Sequence, residues 1–303
     1  KTINAYWKRF LLLFKIRNYD LVYIHLWYSP YGLPIFERIV TALHQKVIYD
    51  IDDMIFLGHS SDANQPIMFL KGKSKMIFLM KKANHVITCT QHLDKFVRQF
   101  NPNTTDISST INTDIYQPNN NYINDNQIVI GWSGSHSTSK YLYLLKDVLL
   151  ELNKKIQFKL LVIGDESFNI PGLDVEAIRW EESKEVQNLQ RIDIGLYPLP
   201  DEQWVLGKSG LKALQYMALG IPTIATAIGA NFRVIENGIS GTLVDSDNQW
   251  LEAILNYIIN PNLRMKHGLN ARKRIENLYS IKANKSIYLE CINNLLNEKN
   301  STL

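Results

Sequence analysis

Short apolar runs rich in β-branched residues alternate with helical stretches along most of this chain, and that alternation constrains its fold more than any other feature. The runs cover residues 20–25, 46–50, 85–90, 128–132, 158–164, 193–197 and 222–226. A strand that is followed by a helix and then another strand is carried back to the same end of the sheet, so the strands lie parallel with helices on both faces. Several runs are apolar without a break, as strands buried on both faces must be. Towards the end the pattern is helical, over 250–259 and then over 262–298 with a break near Ser280. The expected fold class is α/β, built on parallel sheets.

At 303 residues the chain exceeds what one core usually serves, which predicts two domains and a cleft. The Asn-rich stretch 119–126 follows Pro118 and lacks apolar periodicity, so it reads as the connection. The predicted division is a first domain over 1–117, a linker over 118–126 and a second domain over 127–303, whose last helices are expected to pack back on the first. With 46% apolar and 20% charged residues the chain is neither disordered nor fibrous. Cys89 and Cys291 are its only cysteines, which excludes a disulfide scaffold and suits the reducing cytoplasm. No apolar run approaches the ~20 residues that span a bilayer. The chain opens at Lys1 in mid-pattern, without an initiator Met or signal-peptide layout, so a preceding piece carrying the first strand is expected.

Residues 1–117 hold 14 Lys and Arg against 9 Asp and Glu, while the remainder is nearly balanced. Within that surplus Lys71, Lys73, Lys75, Lys81 and Lys82 flank the apolar stretch 76–80. Such a helix either rests on anionic lipid headgroups or is solvated beside a core. The surplus is too small, and too poor in interleaved aromatics, for nucleic-acid binding.

Ligands of open parallel sheets bind at the carboxyl ends of the strands, which directs attention to three loops. The first holds Gly131, Trp132, Ser133, Gly134, Ser135, His136, Ser137 and Thr138, ahead of a helix predicted near Lys140. Glycines let backbone approach a ligand, hydroxyls donate, and helix-terminal amides attract phosphate; a Ser-rich capping turn is the alternative. The second runs from Gly207 to Pro222, with Lys208, Ser209 and Gly210 before a predicted helix carrying Lys212 and Gln215. Lysines four residues apart repel, so a bound diphosphate explains the pair better than mutual contact does, a solvated surface pair being the alternative. The third is the cluster Asp50, Asp52 and Asp53 at a strand end, suited to acid–base work on a hydroxyl or to helix capping. His25, His85, His92 and His136 show no metal-ligand spacing and read as structural, as does Cys89. Trp180 and Tyr197 are expected mainly to fill core, with a nucleobase wall as the alternative.

The order of Gly-Trp-Ser-Gly-Ser from Gly131, Val-Ile-Gly ending at Gly164, Asp-Ile-Gly-Leu-Tyr-Pro-Leu from Asp193 and Gly-Lys-Ser-Gly-Leu-Lys-Ala-Leu-Gln-Tyr-Met-Ala-Leu-Gly-Ile-Pro from Gly207 resembles the C-terminal domain of family-four retaining glycosyltransferases. The run Arg233 to Asp245, with Glu236-Asn237-Gly238 and Gly241-Thr242-Leu243-Val244, is similar to that family's next strand and helix. Tyr49 to Asp53 and Ser109 to Pro118 look like its acceptor-side and domain-crossing segments.

The resemblance implies the GT-B architecture, two Rossmann-like parallel-sheet domains facing a cleft. It implies a hexosyl transferase that retains anomeric configuration, with a nucleotide-sugar donor on the second domain and a glycan or lipid-linked acceptor on the first. Gly131, Ser133, Gly134, Ser135 and Thr138 would face the donor phosphates, with Ser209 and Gly210 at the start of the phosphate-facing helix. Lys208 and Lys212 would neutralise the departing diphosphate without a metal, and no cofactor is implied. Gln215 falls where relatives place a ribose-binding Glu, and Gly207 where they place an acid beside the sugar. Asp52 aligns with a cleft His, which makes Asp52 or Asp53 the expected catalytic carboxylate. Polysaccharide synthesis at the cell envelope, in the cytoplasm or peripherally on an anionic membrane, is the implied setting. A nucleotide-sugar epimerase and a non-catalytic donor-binding partner are the competing functions.

Overall fold

A computed structural model describes residues 2–29, 32–54, 56, 73–119 and 127–297. Two compact units result. The first holds residues 1–108, 206–209 and 285–303, and the second holds 109–205 and 210–284.

The first unit runs α1 (Thr2–Leu13), β1 (Val22–His25), α2 (Ile35–Leu43), β2 (Val47–Ile51), α3 (Lys73–Lys82), β3 (His85–Thr88), α4 (Gln91–Val97) and β4 (Thr104–Asp106). Its strands pair in parallel in the order β1-β2-β3-β4, with Val22 opposite Val47 and Ile48 opposite His85. Side chains alternate across a strand, so an unbroken apolar run feeds two cores at once. Val47, Tyr49 and Ile51 enter the larger core with Met76, Leu79 and Val86, while Ile48 meets Ile87, Ile107, Cys291 and Leu295 on the opposite face.

The second unit contains β5 (Val129–Ser133), α5 (Lys146–Lys155), β6 (Lys159–Ile163), β7 (Asp174–Ile178), α6 (Glu185–Leu189), β8 (Ile194–Tyr197), α7 (Leu211–Ala218), β9 (Thr223–Thr226), α8 (Asn231–Val234), β10 (Thr242–Val244), α9 (Asp247–Ile259) and α10 (Pro261–Arg274). The final helix α11 (Ile281–Asn297) is divided between the units, its residues from Lys285 counting with the first. All strands are parallel in the order β10-β9-β8-β5-β6-β7. Strand order reverses between β5 and β8, and such a reversal opens a ligand crevice at the carboxyl ends. Ile130, Trp132, Leu160, Val162, Ile194 and Leu196 fill one face, and Leu161, Ile163 and Tyr216 fill the other.

Three differences from the sequence expectation have physical causes. Strands β4 and β7 carry no apolar run, because β4 is only Thr-Thr-Asp and β7 has Asp174 and Glu176 among its five residues. Residues 109–117 count with the second unit: the Ile111 N–H donates to the Tyr279 carbonyl at 2.8 Å, and Ile111 bridges to Ser280. Of the expected linker, residues 120–126 lie outside the described residues. The third difference is Lys75, which is no headgroup contact. It is buried, donates to the Ser29 carbonyl and hydroxyl at 2.8 and 2.7 Å, and lies 3.9 Å from buried Glu37. Met76, Leu79 and Met80 turn α3 into the core, and Lys71 falls outside the described residues. No helix among the described residues is long and apolar enough to cross a membrane.

Candidate active site

In the second unit the central strand β5 runs into the Ser-rich turn. The Gly134 N–H donates to the Ile163 carbonyl at 3.0 Å, laying the turn on the end of β6. A Cβ on Gly164, whose φ is +112°, would stand 1.8 Å from the Gly134 carbonyl oxygen, so only glycine permits this approach. Ser135 N–H donates to Thr138 Oγ1 at 3.0 Å, closing the turn and leaving Ser135 and Ser137 at the surface. The helix expected near Lys140 starts as a 3₁₀ turn over Ser139–Leu145 and becomes α-helical only at Lys146.

Two expected donor contacts are corrected. Gly131 is buried within β5, where an added Cβ would lie 2.3 Å from Ile192; its lack of a side chain serves packing. Ser133 is 1% exposed, and its N–H donates to the Tyr216 hydroxyl at 2.6 Å. Its Oγ has no hydrogen-bond partner among the described residues. The turn thus offers Gly134, Ser135 and Thr138.

Asp165, which the sequence reading passed over, pins this turn. It accepts from Ser139 Oγ at 2.5 Å, from Ser167 Oγ at 2.6 Å and from the Ser167 N–H at 3.1 Å, and lies 2.9 Å from His136 Nδ1. Burial alone would raise its pKa, but these donors outweigh it and hold the carboxyl well below the usual range. His136 is therefore oriented by an ionised carboxylate, with its ring largely in solvent.

Beyond Gly210, at φ +78°, α7 begins and carries Lys212 and Gln215. Lys212 Nζ donates to Gln215 Oε1 at 2.9 Å, and burial lowers its pKa against the opposing charge of Glu185. Gln215 Nε2 donates to the Tyr116 hydroxyl at 2.9 Å and to Glu185 Oε1 at 3.2 Å. Glu185 also accepts from Tyr116 Oη at 2.5 Å and from Trp180 Nε1 at 2.9 Å. Burial would raise the Glu185 pKa, but these bonds and Lys212 keep it below the ordinary value. Trp180 is not core, as expected of it, but exposed, whereas Tyr197 is buried.

In the first unit the end of β2 meets the segment 206–209. Burial raises the pKa of Asp50, although the Tyr23 hydroxyl donates to it. His25 lies 3.8 Å from Asp50 and 3.9 Å from the half-exposed Asp52, so it is no isolated structural histidine. Burial also raises the pKa of Asp53, against the charge of Lys208 at 3.8 Å, while Asp53 Oδ1 accepts the Met54 N–H at 2.7 Å. Lys208 and Lys212 thus each face a partner of their own, Asp53 for the first and Gln215 for the second. A Cβ on Gly207 would stand 2.3 Å from Met54 Cγ and 3.0 Å from its backbone nitrogen, so this fold has no room for an acid there. Among the described residues no three His, Cys, Asp or Glu side chains gather as a metal site.

Residues 127–260 match the family described as Glycosyl transferases group 1. No protein of curated function gives a significant sequence match. Among solved structures, Anabaena Alr3699/HepE in complex with UDP and glucose aligns over 94% of this chain and 81% of its own, with TM-score 0.71 and 16% identity. Sucrose-phosphate synthase from Thermosynechococcus elongatus aligns over 93% and 75%, with TM-score 0.68 and 16% identity. A glycosyltransferase from Rickettsia africae aligns over 98% and 82%, with TM-score 0.69 and 17% identity. At these identities the likeness is one of fold, and the fold is GT-B: two α/β units, each on a parallel sheet.

Within residues 127–260, the structure places Gly134, Ser135 and Thr138 in the turn after β5 and pairs Lys212 with Gln215 on α7. It adds Asp165, His136, Trp180 and Glu185, and Tyr116 from outside the segment. The Val-Ile-Gly strand end marks the place of Asp165, since the residue after it lies at the carboxyl end of β6. Glu185 carries no such signal, being one of three acids in the polar run 181–185.

Proposed function

We propose that this protein is a retaining, hexosyl-type glycosyltransferase, moving a sugar from a nucleotide-sugar donor to a glycan or lipid-linked acceptor in cell-envelope polysaccharide synthesis. The observation that carries the proposal is the family match over 127–260, which falls on the unit whose sheet reverses order between β5 and β8. The UDP and glucose held by HepE support a nucleotide sugar as the donor class. Gly134, Ser135 and Thr138 take the donor phosphates, with Ser209 and Gly210 leading into α7. As the bond between sugar and diphosphate breaks, negative charge grows on the leaving group, and fixed donors aimed at it lower the barrier. Lys208 and Lys212 supply that charge; an ammonium has three hydrogens, so Lys212 keeps two after its bond to Gln215. Asp52 or Asp53 orients the acceptor hydroxyl or takes its proton. Retention requires no protein nucleophile, and the lysines take the part that a divalent cation would play. Exposed Trp7, Phe10 and Phe14 beside Lys8, Arg9 and Lys15 support a cytoplasmic protein that touches an anionic membrane.

Gly207 favours a second function, that of a donor-binding partner without turnover, because its packing on Met54 leaves no space for an acid at the sugar. One experiment separates the two. A ligand that binds only the folded state raises apparent stability, so a panel of nucleoside diphosphates and their sugars should raise the melting temperature. With the donor so found, transfer should fall about 100- to 1,000-fold in Lys208→Ala and Lys212→Ala and stay unchanged in EDTA. Stabilisation without transfer to any acceptor supports the second function. Loss of activity on chelation, with active lysine variants, overturns the mechanism, and no stabilisation by any nucleotide overturns the donor class.

A further inference from the structure

We infer that Glu185, not Gln215, is the side chain that reads the donor's ribose hydroxyls, with Gln215 serving to position it; this rests on the nucleotide-donor function proposed above. Hydrogen-bond accounting at Gln215 is the starting point. A side-chain amide has two N–H donors and one carbonyl acceptor. Both donors are committed, to Tyr116 Oη at 2.9 Å and Glu185 Oε1 at 3.2 Å, and the carbonyl accepts from Lys212. Lys212 can only donate, so it fixes which way round the amide lies. Gln215 is moreover 5% exposed, set behind the groups that it bonds.

Glu185 differs on both counts. It is only half-buried and stands at the start of α6, after the carboxyl end of β7. An ionised carboxylate offers about four acceptor positions. Trp180 Nε1, Gln215 Nε2 and Tyr116 Oη occupy three, which leaves one on Oε2. The depressed Glu185 pKa keeps that oxygen an acceptor at neutral pH. Trp180, 42% exposed, has its indole N–H bonded to the same carboxylate, so an aromatic plane is held beside the free acceptor. A flat ring next to an acceptor suits a ribonucleoside, its base on the indole and a ribose hydroxyl donating to Oε2. The buried amide on α7 is in this way backed against a carboxylate at the start of α6.

The test is calorimetric titration of the full chain with matched pairs, UDP and 2′-deoxy-UDP, GDP and 2′-deoxy-GDP, ADP and 2′-deoxy-ADP, and the 3′-deoxy form of whichever binds. A hydroxyl donating to a charged acceptor predicts a preference for the ribose form of about tenfold or more in the wild type. Glu185→Gln should reduce that preference to under about threefold while deoxy-nucleotide binding, held by the phosphate contacts, changes little. Glu185→Asp, which keeps the charge, should retain part of it and serves if the Gln variant does not fold. A preference that survives in Glu185→Gln, or is absent from a wild type that binds nucleotide, overturns the assignment of Glu185. A wild type that binds no nucleoside diphosphate overturns the donor function instead.

Discussion

Strands β2 and β6 both lead into aspartates, and the two units treat the buried charge in opposite ways. Asp165, after β6, is satisfied by two serine hydroxyls, a backbone N–H and a histidine, and its pKa falls. Asp50 and Asp53, at the end of β2, are half-buried with fewer donors, and partial burial raises their pKa values. A carboxylate so fully bonded has its task inside the fold, whereas strained ionisation at a strand end is the usual mark of a group kept for chemistry. The contrast is between one aspartate that shapes the turn after β5 and a cluster whose ionisation the fold leaves less supported.

The contrast can be broken most directly by truncation. Asp165→Ala strands the Ser139, Ser167 and His136 donors and should cost about 3 kcal/mol in urea unfolding. Asp52→Asn and Asp53→Asn should change stability by under about 1 kcal/mol but lower turnover more than donor affinity. Equal loss of stability in all three would erase the distinction. Gly207→Glu, which installs the acid expected from the family resemblance, should destabilise by about 1 to 3 kcal/mol by overpacking Met54, without raising the transfer rate. A stable and faster variant would show that the segment 206–209 yields readily.

The smallest effect, and the sharpest in sign, is on pH dependence. Asp165 has a lowered folded pKa, so its contribution is present above the unfolded value near 3.8 and is lost as pH falls through the folded pKa. Asp50 has a raised folded pKa, so its contribution is present below about 3.8 and is lost as pH rises through the folded value. Acid unfolding should therefore set in earlier for wild type than for Asp165→Asn relative to each protein's stability at pH 7, whereas Asp50→Asn should remove a loss on the rising side. Parallel curves for both variants would contradict the opposed shifts.

The main strands and the break at Ser280 were legible because burial on both faces demands long apolar runs, which the alternation of side chains makes visible. Edge strands β4 and β7 were not, since an edge needs few apolar residues and Thr104 to Asp106 has none. Of the candidate site, the places of the Ser-rich turn and of the α7 segment were legible, since glycines and a Ser-rich run mark the turns between strand and helix. The burial of Gly131 and Ser133 could not be read, since a glycine beneath Ile192 and a glycine beneath a phosphate are spelt alike.

By itself, then, the amino-acid order determined the parallel sheets and the two-part organisation, because these follow from local periodicity and local backbone freedom. Only the tertiary structure decided that Lys75 is buried against Glu37, that Gly207 is closed by Met54, and that Gln215 is held by Tyr116 and Glu185 from 99 and 30 residues away. Hydrogen-bond partners and free volume are properties of neighbours in space, and no spacing along the chain encodes them.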